Sequence, residues 1–439
     1  MTKEKGQSAT RVLVLGGYGF IGAQVMRALI QAGFDPCGMG RDLTASARVL
    51  PGANFIKADL RQMQAVSDWT EVLSGFDIVV NCAGALQDSR RDDLAAVHHD
   101  AVSALAQAAV QLGVGVVQVS AVGADKSAST EFMRTKGRGD DVLRTKGGRV
   151  WILRPGLVIG QAAYGGTALL RMLAAIPGIQ PMALGQAPVQ SVALNDVAKV
   201  VVAAVSGRLP PGEYDLVEEQ VQSLNQVMTE TRNWLGFAPA RINITLPVWA
   251  VRPIGRLADL LGRLGWRSPL RSTAIKVLEE GIQGDPAALR KITGQELAPL
   301  SAIYARLPSA QENRLAARMA LMMPVAVAAL SLFWLISGGI GLWRIQDAAS
   351  TLTQIGWPQW VAILAVMFWS VVDLCLGAAV LWRPWAARVC LAMVAVSLIY
   401  MVSAAVLTPD LWFDSLGPMV KVIPGVVLSL ITHQLLQSR

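Results

Sequence analysis

The sequence predicts a doubly wound parallel α/β sheet with a small α/β substrate part, followed by an all-α transmembrane four-helix bundle. Three observations carry this. A glycine-rich turn stands between a short β-branched run and a helical stretch near the N-terminus. Apolar runs and helical stretches then alternate up to Gly160. From Met319 onward the chain becomes almost wholly apolar. Of 439 residues, 53% are hydrophobic and 16% charged, and the mean hydropathy is +0.43. That is too apolar for a wholly soluble protein.

The first strand is RVLVLG, Arg11 to Gly16, followed by Gly16-Gly17-Tyr18-Gly19-Phe20-Ile21-Gly22 and a helix reaching Ala32. A G-x-G-x-x-G turn between strand and helix is the fingerprint of dinucleotide binding. Gly16 and Gly19 let the backbone approach a pyrophosphate, Gly22 lets the helix pack close to the sheet, and free N–H groups at the helix start favour an anion. The second strand ends near Gly40-Arg41, about twenty residues on, where an acid would select NAD(H) and a base NADP(H). Arg41 comes first and Asp42 follows, which favours NADP(H) and leaves NAD(H) open. ANFIKADL predicts a third strand ending at Asp59, and DIVVNCAG a fourth ending at Asn81–Gly84. GVVQVSAVG predicts a fifth ending at Ser120, and RVWILRPGLVIG a sixth; a helix covers Asp93–Leu112. The sum is a Rossmann-like sheet.

GGYGFIG, ADL, VVNCAG, Ser120, FMRTKGRGDDVLR and LRPGLVIG together resemble the extended or atypical short-chain dehydrogenase/reductases, from about Arg11 to Leu307. The subgroup they resemble contains the dinucleotide-binding accessory subunit of respiratory complex I. The resemblance implies that Asp59 and Leu60 border the adenine, and that Asn81, Cys82, Ala83 and Gly84 line the adenosine ribose side. It further implies that Ser120 faces the nicotinamide, Lys136 binds its ribose, and Arg154-Pro155-Gly156 closes the pocket. One departure matters. The family motif is Tyr-x-x-x-Lys, and here Phe132 stands four residues before Lys136. Phenylalanine has no proton to give, so carbonyl reduction through a tyrosine is in doubt. Tyr164 is a conceivable substitute, and hydride transfer to a quinone or flavin needs no such tyrosine.

Residues 1–164 are thus read as the nucleotide-binding domain and 165–307 as the smaller substrate part, with a linker at 308–318. In the smaller part, Val189–Val201 reads as a strand running into a helix, with Asn195 and Asp196 as N-caps. Pro253–Trp266 reads as an amphipathic helix with Pro at its first position. Arg256, Arg263 and Arg267 share one face, and Leu257, Leu260, Leu261 and Leu264 another. A basic membrane-surface helix and a solvated lid both fit.

The membrane domain, 319–439, is read as spans at about 319–343, 360–382, 385–407 and 416–436, the last weakened by Lys421 and Pro424. Trp343, Trp357, Trp360, Trp382, Trp385 and Trp412 fall at predicted ends, where indole favours the headgroup layer. Arg314, Arg318, Arg383, Arg388 and Arg439 mark one side, Asp410 and Asp414 the other. By the positive-inside rule both termini face the cytoplasm. An apolar run at the N-terminus is broken by glycines, unlike an export signal. Asp373 lies within the second span, either as a proton- or ligand-binding group or as a carboxyl bonded to a neighbouring helix. The spans, with WSVVDLCLGAAVLW in the second, resemble DoxX-like proteins over about Ala317 to Gln437, a group with links to quinone chemistry.

Four scattered cysteines and three histidines offer no metal framework. The net charge of +8 comes without a nucleic-acid motif. The expected protein is integral to the inner (cytoplasmic) membrane, binds NADP(H), and acts as an oxidoreductase on a lipid-soluble substrate such as a quinone. The alternative is a non-catalytic NADP(H)-binding assembly or regulatory protein. Membrane lipid is the expected partner; a membrane complex or homo-oligomer stays open.

Overall fold

The computed structural model describes residues 10–85, 88, 92–266, 270–414 and 417–437. Arg267, Leu416 and Arg439, used in the sequence reading, lie outside them. Contacts divide the chain into two compact units, Met1–Asp259 with Ser268–Asn313, and Leu260–Arg267 with Arg314–Arg439.

The first unit opens with β1 (Arg11–Leu15), α1 (Phe20–Gln31), β2 (Asp35–Gly40), α2 (Leu43–Val49), β3 (Phe55–Lys57), α3 (Val66–Leu73) and β4 (Ile78–Asn81). There follow α4 (Ala101–Leu112), β5 (Gly115–Val119), α5 (Glu131–Lys146), β6 (Val150–Pro155), β7 (Leu157–Ile159), α6 (Gly166–Ala174) and β8 (Ile179–Ala183). It continues with β9 (Pro188–Val189), β10 (Ser191–Ala193), α7 (Leu194–Val205), β11 (Gly212–Leu216), β12 (Gln222–Ser223), α8 (Leu224–Trp234) and β13 (Ile242–Leu246). The unit then holds most of α9 (Val248–Arg263), with α10 (Ser272–Glu280), α11 (Ala287–Thr293) and α12 (Leu300–Arg306).

Seven strands form one sheet in the order β11-β6-β5-β4-β1-β2-β3, and every pair is parallel. Strand side chains alternate between its faces. Val12, Val14 and Val80 pack with Val25, Met26 and Leu29 of α1 and with Val197 and Val201 of α7. Leu13, Leu15 and Val79 pack with Trp69 of α3, Leu105 of α4 and Leu143 of α5. Helices therefore cover both faces, which is why the strands read as near-continuous apolar runs.

The sixth predicted strand is two. A Cβ at Gly156 would stand 2.4 Å from Gln190 O; there the chain leaves the main sheet, and β7 pairs with β10 instead. Asp196 is not a cap: Ala193 occupies that position, and Asp196 lies in the first turn of α7, 2.9 Å from Lys199. Its carboxylate still favours the positive end of the helix. The amphipathic helix α9 starts at Val248, so Pro253 is inside it and not at its first position.

The second unit contains α13 (Gln311–Trp343), α14 (Ile345–Gln354), α15 (Gln359–Ala379), α16 (Arg383–Leu407), α17 (Asp410–Phe413) and α18 (Val422–Gln437). Among the described residues three helices, α13, α15 and α16, are long and apolar enough to cross a membrane. The expected fourth span falls short of that length. Pro418 and the turns from Gly417 to Lys421 hold that stretch out of the helix, leaving α18 with 16 residues. Between the first two long helices, Ile345–Gln354 form α14.

α13 and α15 run antiparallel through a seam of small residues. Ser331 Oγ donates to Gly377 O at 2.7 Å, and a Cβ at Gly338 would stand 2.5 Å from Ser370 O. Such close backbones are how helices associate where lipid removes the hydrophobic drive. Asp373 accepts from Ser337 Oγ of α13 at 2.9 Å and from Tyr400 Oη of α16 at 2.7 Å. One carboxyl thus ties three helices together.

Candidate functional site

The fingerprint turn is built for close approach. Gly16 adopts φ +68°, open to glycine at no steric cost, and a Cβ there would stand 2.9 Å from Ala83 Cα. A Cβ at Gly22 would stand 2.2 Å from Gly16 O. α1 begins after Gly19 with no side-chain cap and no acid in its first turn. Its leading N–H groups and positive dipole end are therefore offered to an anion, and the cradle fits a dinucleotide pyrophosphate. Tyr18 lies over Gly40, so the turn and the end of β2 share a wall.

At the ends of β2 and β3 the charges cluster. Arg41 pairs with Asp92 at 2.8 Å, and Arg61 pairs with Asp59 at 2.5 Å. The Arg61 hydrogen bond holds the Asp59 carboxyl below its ordinary pKa. Leu60 opens a short 3-10 turn capped by Asp59. Asp42 caps α2, accepting from Ala45 N at 3.0 Å. The acid that kept NAD(H) open in the sequence thus has a local backbone partner.

At the ends of β4 and β5 a second cluster forms. Asn81 Nδ2 donates to Gln118 Oε1 at 2.8 Å, while its Oδ1 accepts from Ala83 N at 3.1 Å, fixing the loop Cys82–Gly84. Lys136 Nζ donates to Val119 O at 3.2 Å, and a Cβ at Gly84 would lie 3.9 Å from it. Burial lowers the Lys136 pKa, an effect opposed by Asp140 and Cys82. Burial pushes the Cys82 thiol up to about 12, which leaves it protonated and unreactive.

Phe132 packs between Lys136, with Nζ 5.7 Å from the ring centroid, and the edge of His98, 5.7 Å between ring centroids. His98 Nε2 accepts from Ala85 N at 3.2 Å, which places its proton on Nδ1 facing Thr135 Oγ1 at 2.9 Å. Thr135 Oγ1 in turn donates to Glu131 O at 2.9 Å. Burial, with Lys136 nearby, drops the His98 pKa well below its ordinary value. His98 is a neutral strut.

Ser120 donates to Asp140 Oδ2 at 2.6 Å. Its single proton is therefore turned toward Asp140, so Ser120 presents lone pairs and not a donor to whatever lies beyond. Asp140 is fully buried, its Oδ1 has no hydrogen-bond partner among the described residues, and burial raises its pKa. Arg154 Nε stands 3.7 Å from Asp140 Oδ2, an ion pair too long for a hydrogen bond, and the guanidinium also pairs with Glu213. Sequence reasoning missed Asp140, although it lies one helical turn past Lys136. Pro155 and Gly156 lie where β6 ends and β7 departs. Tyr164 stacks on Phe20 of the fingerprint, ring centroids 5.9 Å apart. Both rings border a cavity of about 720 Å³ that also touches Lys199 and Arg306.

The fold and the glycine cradle define an NAD-binding domain of the epimerase and short-chain dehydrogenase/reductase kind, joined to a DoxX-like membrane-embedded region. Comparison with known proteins agrees. Residues 12–136 match the NAD dependent epimerase/dehydratase family, and residues 331–430 match the DoxX-like family. A ceramide reductase of Caulobacter vibrioides is 24% identical over 254 residues, 56% of this chain and 77% of that one. Protein FMP52-2, mitochondrial, of Scheffersomyces stipitis is 27% identical over 166 residues, 35% of this chain and 68% of that one. The fold is shared with the Bordetella bronchiseptica enzyme WbmH, solved with NAD+, at a TM-score of 0.52 and 17% identity, covering 68% and 97% of the two chains. WbmG of the same organism, solved with NAD, gives 0.50 and 16%, covering 71% and 94%.

Proposed function

We propose that this chain is a membrane-anchored oxidoreductase that prefers NADP(H) and acts on a lipid-soluble substrate, with a quinone as the first to test. The observation that carries the reading is the uncapped start of α1 together with a strand end where Asp42 is engaged as a helix cap while Arg41 and Arg61 cluster. A 2′-phosphate there would meet the guanidinium groups of Arg41 and Arg61, taking the place of their present partners Asp92 and Asp59.

Lys136 holds the nicotinamide ribose in this reading, and Gly16–Gly22 hold the pyrophosphate. Asp59 and Leu60 border the adenine, and Asn81–Gly84 its ribose. The bound cofactor supplies hydride. Phe132 supplies no proton, and the Ser120 proton is directed to Asp140. An acceptor that takes hydride and completes its reduction with a proton from water suits such a site; a quinone becomes a quinol this way, leaving NADP+. Lipid solubility of the substrate is supported by the membrane helices and by the activity named for the Caulobacter relative. Location in the cytoplasmic membrane, nucleotide domain inside, is supported by Arg314, Arg318, Arg383 and Arg388 at one set of helix ends.

Phe132 favours a second reading, in which NADP(H) is structural and the protein serves assembly of a membrane complex. The test is NADPH and NADH binding by the full chain in detergent, followed by reduced-nicotinamide absorbance on adding ubiquinone analogues. NADPH binding tighter than NADH with quinone-dependent oxidation, both lost in Gly19→Trp, supports the enzyme. Binding with a flat trace selects the second reading. No binding overturns both.

A further inference from the structure

We infer that α9 is an interfacial helix whose exposed apolar arc lies at the boundary of headgroups and acyl chains, with its arginines on anionic lipid. Two independent observations carry this, and it goes beyond the oxidoreductase reading, holding whether or not the cofactor turns over.

The first is the face α9 leaves uncovered. Trp249 is 74% exposed, Leu257 57%, Leu260 53% and Ile254 47%. At 100° per residue these four fall within an arc of about 140°. Val251, Gly255 and Ala258 make the buried seam on the other side; Gly255 lies close to Ile275 of α10, so that side is already occupied. Arg252, Arg256 and Arg263 line one edge of the apolar arc. Arg252 reaches Glu279 at 3.4 Å, and Arg256 and Arg263 are exposed. An apolar arc flanked by arginines is the pattern of a helix lying in an anionic membrane surface.

The second is where the helix ends. Trp266 Nε1 donates to Leu381 O at 2.5 Å, and Arg383 N donates to Leu264 O at 3.0 Å. The Arg383 guanidinium lies 5.7 Å from the Trp266 ring centroid. Val380 to Trp382 is the turn between the membrane helices α15 and α16, and Trp385 lies in the first turn of α16. Trp382 and Trp385 stack there at 6.2 Å and are 48% and 60% exposed, as rings of a headgroup belt are. The segment that continues α9 is therefore fixed at headgroup depth. The occupant follows from that continuity: a bilayer surface, not a soluble partner.

The test uses the full chain in nanodiscs of phosphatidylcholine and phosphatidylglycerol carrying a phospholipid with a photoreactive group near its headgroup, and maps the labelled peptides. Peptides of α9 should label as strongly as those at the ends of α16, and α8 should stay at background. Leu257→Glu with Leu260→Glu should cut α9 labelling about fivefold, leaving α16 labelling and NADPH binding unchanged as proof of folding. Arg256→Glu with Arg263→Glu should lower it severalfold with phosphatidylglycerol present and little in phosphatidylcholine alone. Labelling of wild-type α9 at the level of α8 overturns the inference. So do chain-to-chain crosslinks through α9, which would make a second copy the occupant.

Discussion

Phe132 has the ring of the tyrosine in the motif that its segment resembles, without the hydroxyl proton. Its ring packs on Lys136 and His98, so the slot is filled and not collapsed. Phe132→Tyr should therefore be accepted, and it restores a phenol beside a buried ammonium. The expected outcome is NADPH-dependent reduction of an apolar ketone about a hundredfold above the parent chain, with NADPH affinity unchanged. Phe132→Tyr binding NADPH and reducing nothing new would mean that Ser120, committed to Asp140, disables the site as well. Lys136 gives a pH prediction. Burial lowers its pKa, so its positive charge disappears as pH rises through a value below that of ordinary lysine. NADPH affinity should fall as pH rises through that lowered value, and Lys136→Arg, which stays charged, should flatten the fall; calorimetry at several pH values reads both. That Lys136 and Phe132 lie side by side was legible, because four residues make about one turn of α5. The Ser120–Asp140 bond was not, since it joins a strand end to a helix twenty residues away, and spacing on one helix does not say which strand faces it.

Elements were legible where one period dominates. The strands up to β5 and the helix after the fingerprint stand where alternation places them, because each buries a contiguous apolar set. The split at Gly156 was hidden because it depends on what approaches the backbone from elsewhere, and the start of α9 because a proline, the usual sign of a first turn, stands inside this helix. Close approach gives a prediction for α1. Gly22→Ala places a Cβ 2.2 Å from Gly16 O, and backbone cannot yield as a side-chain tip does. It should cost about 2 kcal/mol of stability and abolish NADPH binding, read by thermal melting and by calorimetry. In the membrane unit, Asp373 is the element-scale tie. Asp373→Leu removes both hydrogen bonds and should lower the melting point of purified protein, by about 1–2 kcal/mol in stability. Asp373→Asn can keep both partners and should lie near the parent. Equal loss in both variants would instead show that the charge itself is required.

At the scale of the whole molecule, three long helices pose a question of sidedness that four would not. An odd number of crossings puts the two chain ends on opposite sides, and α18, with 16 residues, is about 24 Å long against a hydrocarbon core of about 30 Å. The contacts of α18 answer it. Arg383, the first residue of α16, donates to Leu436 O near the end of α18 at 2.7 Å, and His433 Nδ1 lies 2.7 Å from Ala387 O. α18 is thus antiparallel to α16 and returns to the level where α16 begins. The α13–α15 seam, also antiparallel, sets Ser331 in the middle of α13 level with Gly377 near the end of α15, so the first half of α13 lies on the side where α15 ends and where the turn at Trp382 leads into α16. The chain's end therefore comes back to the side from which α13 departs, although α18 is short. The prediction is that protease added to inside-out vesicles removes a C-terminal tag and digests the nucleotide domain together, while right-side-out vesicles protect both. A cysteine placed at Gly356, between α14 and α15, should label with an impermeant maleimide only from the opposite side. A tag cleaved from the side that spares the nucleotide domain would mean that α18 rests in one leaflet, and that the chain crosses three times.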